Sequence, residues 1–251
     1  MVNRTGLLET LLVRVQGAQS LNARSQPLAT GRFSLWPRGA RPVRPWVELA
    51  EESGLMSDVD IPRLLEEIPL LYKARAFADG FDSMPLMARL GEKLDDRERG
   101  LTRHYLDGLG FPHAEAALLS DWDEAADAAA ALDRDPEGWE AEEMLRAGLI
   151  DQANERLESE AIQAILTYVT MRAGEVAQDA VTYSSAFSEI DDEALQNAAV
   201  GMLVRAAEGG ALVILAEAED EEPPHPFLTR WRLFARGRWP VGIAGSTYNI
   251  L

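Results

Sequence analysis

From Asp60 onward, apolar residues recur three and four positions apart with carboxylates between them, the periodicity of amphipathic helices. The first such stretch, Asp60 to Phe81, places Leu64, Leu65, Ile68, Leu71, Tyr72, Arg75 and Ala76 on one face and Glu66, Glu67 and Lys73 on the other. Asp60 suits its cap, Pro62 its first turn and Gly80 its end. A second helix is expected from Pro85 to Leu109 on Leu86, Leu90, Leu94, Leu101, Tyr105 and Leu109. A third, alanine-rich one is expected over Ala114 to Leu132, and Asp135-Pro136-Glu137 reads as the cap and first turn of a fourth. The longest unbroken pattern runs from Asp151 to Tyr183. Its stripe of Leu157, Ala161, Ala164, Ile165, Tyr168 and Val176 is widened by Ile162, Leu166, Val169 and Met171 until most of the circumference is apolar. Such a helix belongs in the centre, with Leu157, Ile162, Ile165, Leu166 and Val169 in the core.

Ser188 to Ala207 follows with Leu195, Ala199, Met202, Leu203 and Ala206, then Gly209-Gly210 and the apolar run Ala211 to Ala216. A run of six fits a buried strand or a helix resuming after a break; the helix formers from Ala216 to Glu222 favour helix. The ends differ in kind. Met1 to Gln19 reads as a helix, because Glu9 and Arg14 interrupt its apolar region and no small-residue cleavage pattern follows. Residues 26 to 47 hold Pro27, Pro37, Pro42 and Pro45 among Phe33, Trp36 and Trp46, a loop with one short strand at Arg32 to Trp36. After Pro223-Pro224, His225 to Arg236 reads as a short helix ending at Gly237, and Pro240 to Leu251 alternates like a strand. The two ends can pair as a small sheet. The fold class that follows is an all-α single domain of six to eight helices, with a small β element formed by the N- and C-terminal segments. Phe77-Ala-Asp79-Gly80-Phe81 and Tyr105-Leu-Asp107-Gly108-Leu-Gly-Phe111 echo each other, but no third copy exists and a repeat array needs one. They read as two glycine helix ends.

Charge divides the 251 residues into three blocks. Residues 1 to 50 carry seven arginines against Glu9 and Glu48, a net of +5; residues 51 to 223 carry 13 basic and 40 acidic groups, a net of -27; residues 224 to 251 add four arginines and no acid. An acidic body of this size repels phosphate, so nucleic acid is disfavoured as its partner, and a one-signed surface steers association with a cationic one. The carboxylates expected to carry such an interface are Asp121, Asp123, Glu124, Asp127, Glu140, Glu142 and Glu143. Arg230, Trp231, Arg232, Arg236, Arg238 and Trp239 can either stack on bases and grip phosphates or fill a seam between the C-terminal end and the acidic helices. The seam is the expected role.

Cysteine is absent, which removes disulfides, thiolate metal sites and a cysteine nucleophile. Only His104, His113 and His225 can act as neutral-pH bases or nitrogen ligands. His104 and Asp107 share a helix face and His113 lies nearby, but no paired-histidine metal motif is present and no calcium loop. Phosphate-binding glycine loops and a nucleophile elbow are missing too; Ser184, Ser185 and Ser188 read as loop and cap residues. No cofactor or metal is expected. The ending Trp231 to Leu251, with its Gly-Arg-Trp-Pro-Val-Gly-Ile segment, resembles the C-termini of small bacterial proteins, some of them immunity-like. The resemblance covers a small part of the chain and carries no catalytic residue. The expectation is a non-catalytic cytoplasmic protein-binding factor, of the immunity or antitoxin kind, that blocks a basic partner such as a toxin or nuclease. The competing readings are an enzyme with a carboxylate and histidine site, and a nucleic-acid-associated protein using the arginine and tryptophan ends.

Overall fold

A computed structural model describes residues 68–251, apart from 133, 189 and 191 and the side chain of Phe187. Seven α-helices occur among the described residues: α1 (Pro69–Asp79), α2 (Asp96–Gly108), α3 (Trp122–Leu132), α4 (Glu137–Asn154), α5 (Ser159–Ser188), α6 (Glu193–Leu215) and α7 (Pro226–Phe234). Three short strands, β1 (Glu115–Leu118), β2 (Pro240–Ala244) and β3 (Thr247–Ile250), form one sheet. The chain is therefore mainly helical with a small β element, the class its periodicity implies. The helix expected at Met1 to Gln19, the proline-rich stretch at 26 to 47 and the start of the helix at Asp60 lie outside the described residues.

The centre of the molecule is α6, not the longer α5. It packs against α1, α4, α5 and α7, and Leu203, Ala207, Ala211, Leu212, Val213 and Leu215 are sealed from solvent. By length and composition α6 is apolar enough to cross a membrane, but most of it is buried by its neighbours, as in a core helix. Gly209-Gly210 does not break it. A Cβ at Gly209 would come within 2.9 Å of the Phe227 ring, and one at Gly210 within 2.8 Å of Phe77 Cζ, so the glycines admit two aromatic rings against the helix backbone. The helix then runs on through Ala211 to Leu215, the helix expected of this run, but it stops there: Ala216 to Glu222, the helix formers behind that expectation, are turns and loop, with Glu217 left-handed (φ 58°). On α5, Val169, Ala173, Ala177 and Val181 recur every four residues and are fully buried, a narrow stripe that lets α5 lie close to α6. Leu157, Ile162, Ile165 and Val169 are buried as expected, and Leu166 is half-buried against the same core.

Asp192 starts α6 by accepting hydrogen bonds from the Ala194 and Leu195 backbone N–H groups at 2.9 and 3.1 Å. Asp192→Ala is expected to lower stability by about 1 kcal/mol while Asp192→Asn retains the cap, a difference readable in urea melts. Equal losses in the two variants would show that charge rather than capping matters there.

Four expected boundaries move. The helix placed from Ser188 begins at Glu193 behind its Asp192 cap, and Ser184, Ser185 and Ser188, read as loop and cap residues, are in the last turns of α5. The helix placed at Pro85 begins only at Asp96: Asp95 and Glu98 form a reciprocal capping box, and Met87 and Gly91 adopt left-handed backbone conformations (φ 57° and 68°) that no helix contains. The helix expected over Ala114 to Leu132 is a strand followed by α3, because residues 115–118 are claimed by parallel pairing with β3, Glu115 opposite Thr247 and Leu118 opposite Ile250. The pattern read as one helix from Asp151 belongs to two, α4 ending at Asn154 and α5 starting at Ser159. The C-terminal tail is a hairpin, β2 antiparallel to β3, turned at Gly245 (φ 57°). Its described partner strand is β1, so the sheet joins the C-terminal segment to the middle of the chain; the N-terminal segment expected in that place lies outside the described residues. The two echoed helix ends also differ: Gly80 is right-handed and leads into a 3-10 turn, whereas after α2 the left-handed residue is Gly110 (φ 87°).

Candidate functional site

The acidic residues of α3 stay on the surface. Asp121, Asp123, Glu124 and Asp127 are exposed, and none has an ion-pair partner among the described residues. Two of them also build the helix start: Asp121 accepts from the Glu124 N–H at 2.9 Å and Glu124 accepts from the Ser120 N–H at 2.7 Å. On α4, Glu140 is exposed and half-buried Glu143 accepts from Arg205 at 2.8 Å. Glu142 is a correction. It is only 6% exposed and holds Arg230 at 2.6 Å, Arg205 at 2.7 Å and the Tyr105 hydroxyl, so it is an internal anchor and cannot meet a partner. Burial disfavours its charge, but the Arg230 and Arg205 guanidiniums outweigh this and hold its carboxyl below the ordinary range. Burial beside that carboxylate pushes the Tyr105 hydroxyl well above its usual value.

The arginines and tryptophans of the C-terminal end face inward. Trp231 packs against Phe77 and Phe81 with ring centres 4.8 and 4.6 Å apart, and Trp239 meets Phe234 edge-on at 5.0 Å. Arg238, with no exposed surface, donates to Glu98 at 2.9 Å and to the carbonyls of Arg89, Glu92 and Lys93. Arg236 donates to Asp95 at 2.6 Å. Of the six residues only Arg232 is exposed, so this set is the seam. Its electrostatics follow from the geometry. The Glu98 backbone N–H, Arg236 and Arg89 hold the Asp95 carboxyl down at about 2, and Glu98 lies below its usual value because Arg238 and Arg89 outweigh its burial.

These depressed carboxylates bind protons more weakly in the folded chain than in the unfolded one. Their contribution to stability is complete above about pH 4.5 and is lost as pH falls through the folded values, down to about 2 for Asp95. Burial also lowers the pKa of His225 from 6.5, which adds a loss of the same sign beginning below that pH. Urea midpoints measured from pH 7 to 3 are therefore expected to fall steadily, and a midpoint unchanged between pH 5 and 3 contradicts this ion-pair account.

A cleft of about 700 Å³ opens between the C-terminal half of α2, the middle of α4 and the segment 221–226 that leads into α7. His104, Asp107 and His225 line it together with Glu221, Glu222 and the apolar side chains of Met144, Leu145 and Leu149. His113 is exposed and is not part of its lining, so the two histidines brought together are His104 and His225, a pair that sequence spacing did not suggest. Among the described residues no group of three or more His, Asp or Glu is arranged to hold a metal ion. Comparison with family models, with curated proteins and with solved structures finds no match to this chain.

Proposed function

We propose that this chain is a non-catalytic cytoplasmic binding factor that blocks a basic protein, of the immunity or antitoxin kind, through the acidic face of α3 and the adjoining start of α4. One observation carries the reading. Residues 68–251 contain 16 Lys and Arg against 34 Asp and Glu, and twelve of the sixteen cations form ion pairs with described carboxylates, several of them deep in the fold. Most of these cations are paired within the fold, while Asp121, Asp123, Glu124, Asp127 and Glu140 are exposed and make no ion pair among the described residues. A field of one sign raises encounter rates with a partner of the other sign and repels nucleic acid.

The test is a pull-down from the native lysate at low and moderate salt, with wild-type protein and with Asp121→Asn, Asp123→Asn, Glu124→Gln and Asp127→Asn combined. Asn and Gln keep the start of α3 capped, so the fold is preserved. A basic protein retained by the wild type, weakened by salt and lost with the four substitutions supports the proposal. Charges more than about 8 to 10 Å apart are screened at physiological ionic strength. A retained partner indifferent to salt and to the four substitutions, or no retained partner, overturns it.

A further inference from the structure

We infer that the cleft between α2, α4 and residues 221–226 is a binding site for a small organic cation with an apolar body, such as an aryl- or alkylammonium ion. Its volume of about 700 Å³ falls within the range of sites that enclose small molecules. Its walls are of two kinds. Met144, Leu145, Leu149, Pro223, Pro224 and Pro226 supply apolar surface, and Asp107, Glu221 and Glu222 supply negative charge, with no Lys or Arg in the lining. Asp107 already pairs with Arg103 at 2.9 Å, but Glu221 and Glu222 have no ion-pair partner among the described residues. Met144 stands 73% exposed on the wall, a flexible apolar side chain free to adapt to the body of a ligand.

His225 is the second, independent sign of a ligand. It is only 8% exposed, and its Nδ1 accepts the Phe227 backbone N–H at 3.2 Å. That bond fixes the neutral tautomer with the proton on Nε2, and burial favours the neutral ring. Nε2 has no partner among the described residues and the ring lines the cleft, so on an otherwise buried side chain this N–H is the edge left open, free to donate to an acceptor atom next to the ligand's ammonium group. A ligand of this class places its cation on Glu221 and Glu222, its apolar body on Met144 and Leu149, and a hydroxyl or carbonyl oxygen on His225.

The chain has three histidines, so ring carbon-proton NMR signals of the full-length protein can be assigned by single substitution. The probes are phenylethylamine, 2-amino-1-phenylethanol and cadaverine, with phenylacetate as the anionic control. The expected result is a saturable shift of the His225 and His104 signals with at least one amine, no shift of His113, and no response to phenylacetate. Gly148→Trp fills the cleft from α4, where an added Cβ meets no atom within 4 Å, and should abolish the shifts while leaving the melting temperature in place. Glu221→Gln with Glu222→Gln should weaken binding at least fivefold. The inference is overturned if no amine moves the His225 signal up to 20 mM, roughly the weak end of ligand affinity. It is equally overturned if phenylacetate moves the signal as far as the amines, or if the shifts survive Gly148→Trp.

Discussion

Glu98→Gln is expected to lower the melting temperature by roughly 10 °C or more, the shift that a loss of about 3 to 5 kcal/mol produces in a chain of this size. Glu98 has no exposed surface and lies under three arginines: Arg89 donates to it at 2.6 Å, Arg238 at 2.9 Å, and Arg236 Nε stands 3.4 Å away. Its other task is backbone capping, since its Oε2 accepts the Asp95 N–H at 3.0 Å. Glutamine preserves the shape but turns an amide N–H group toward a guanidinium and leaves Arg238 buried without a counter-charge. The three carbonyls of Arg89, Glu92 and Lys93 still hold Arg238 in place, so the charge cannot relax into water. Arg238→Met is expected to lose less, because Glu98 keeps Arg89 and Arg236. Glu92→Gln, on an exposed carboxylate, should stay within about 0.5 kcal/mol of wild type. Thermal melts of the three variants rank these effects, and a Glu98→Gln protein as stable as Glu92→Gln refutes the account.

The same cluster explains what the C-terminal end does for the fold. Arg238 bridges the turns of residues 85–95 to the entry of β2, and Trp239 exchanges two backbone hydrogen bonds with Leu251 at 2.7 and 2.9 Å. Gly237 (φ 85°) makes the approach possible: a Cβ there would lie 2.9 Å from the Pro85 carbonyl oxygen. The four C-terminal arginines, which as sequence resemble a phosphate-binding patch, are mostly counter-charges for an acidic body.

How much of this is legible in the chain depends on the range of the interaction. The helices of the core are legible because a buried stripe repeats every three or four residues, and α5 and α6 announce themselves in that way. The start of α2 misleads because Leu86, Leu90 and Leu94 keep helical spacing across a stretch of turns; the deciding feature is the Asp95 and Glu98 box, whose four-residue signature lies in plain view. Strand β1 is illegible, since Glu-Ala-Ala-Leu has the local preference of a helix and is extended only because Tyr248 and Ile250 lie beside it. The cleft is illegible for a similar reason: His104 and His225 are brought together by the packing of α2 against α7, where Gly108 lets Pro226 approach, an added Cβ falling 2.3 Å from the proline ring. Glu142 looks like its neighbours Glu140 and Glu143 on an acidic helix. Its burial is decided by Tyr105 and Arg230, residues far away in sequence that no local pattern connects to it.

That distant decision makes Glu142 the site of the other large effect. Glu142→Gln is expected to cost about 3 to 5 kcal/mol, because Arg230, itself buried, loses its only carboxylate among the described residues, and the Tyr105 hydroxyl loses a charged acceptor. Arg205 is less affected: it keeps Glu143 at 2.8 Å and lies over the Trp139 ring at 3.4 Å from its centre. The charge pair itself need not be stabilising, since apolar side chains of similar volume often replace such a pair without loss. Arg230→Met alone should destabilise, leaving Glu142 with Arg205 and Tyr105, whereas Glu142→Leu combined with Arg230→Met should recover most of the stability lost by either single change. Denaturant titration of the two single variants, Glu142→Leu and Arg230→Met, and of the double variant gives the coupling directly. A coupling of about 2 kcal/mol or more identifies the pair as mutually dependent, and simple additivity shows that the two side chains act through other neighbours.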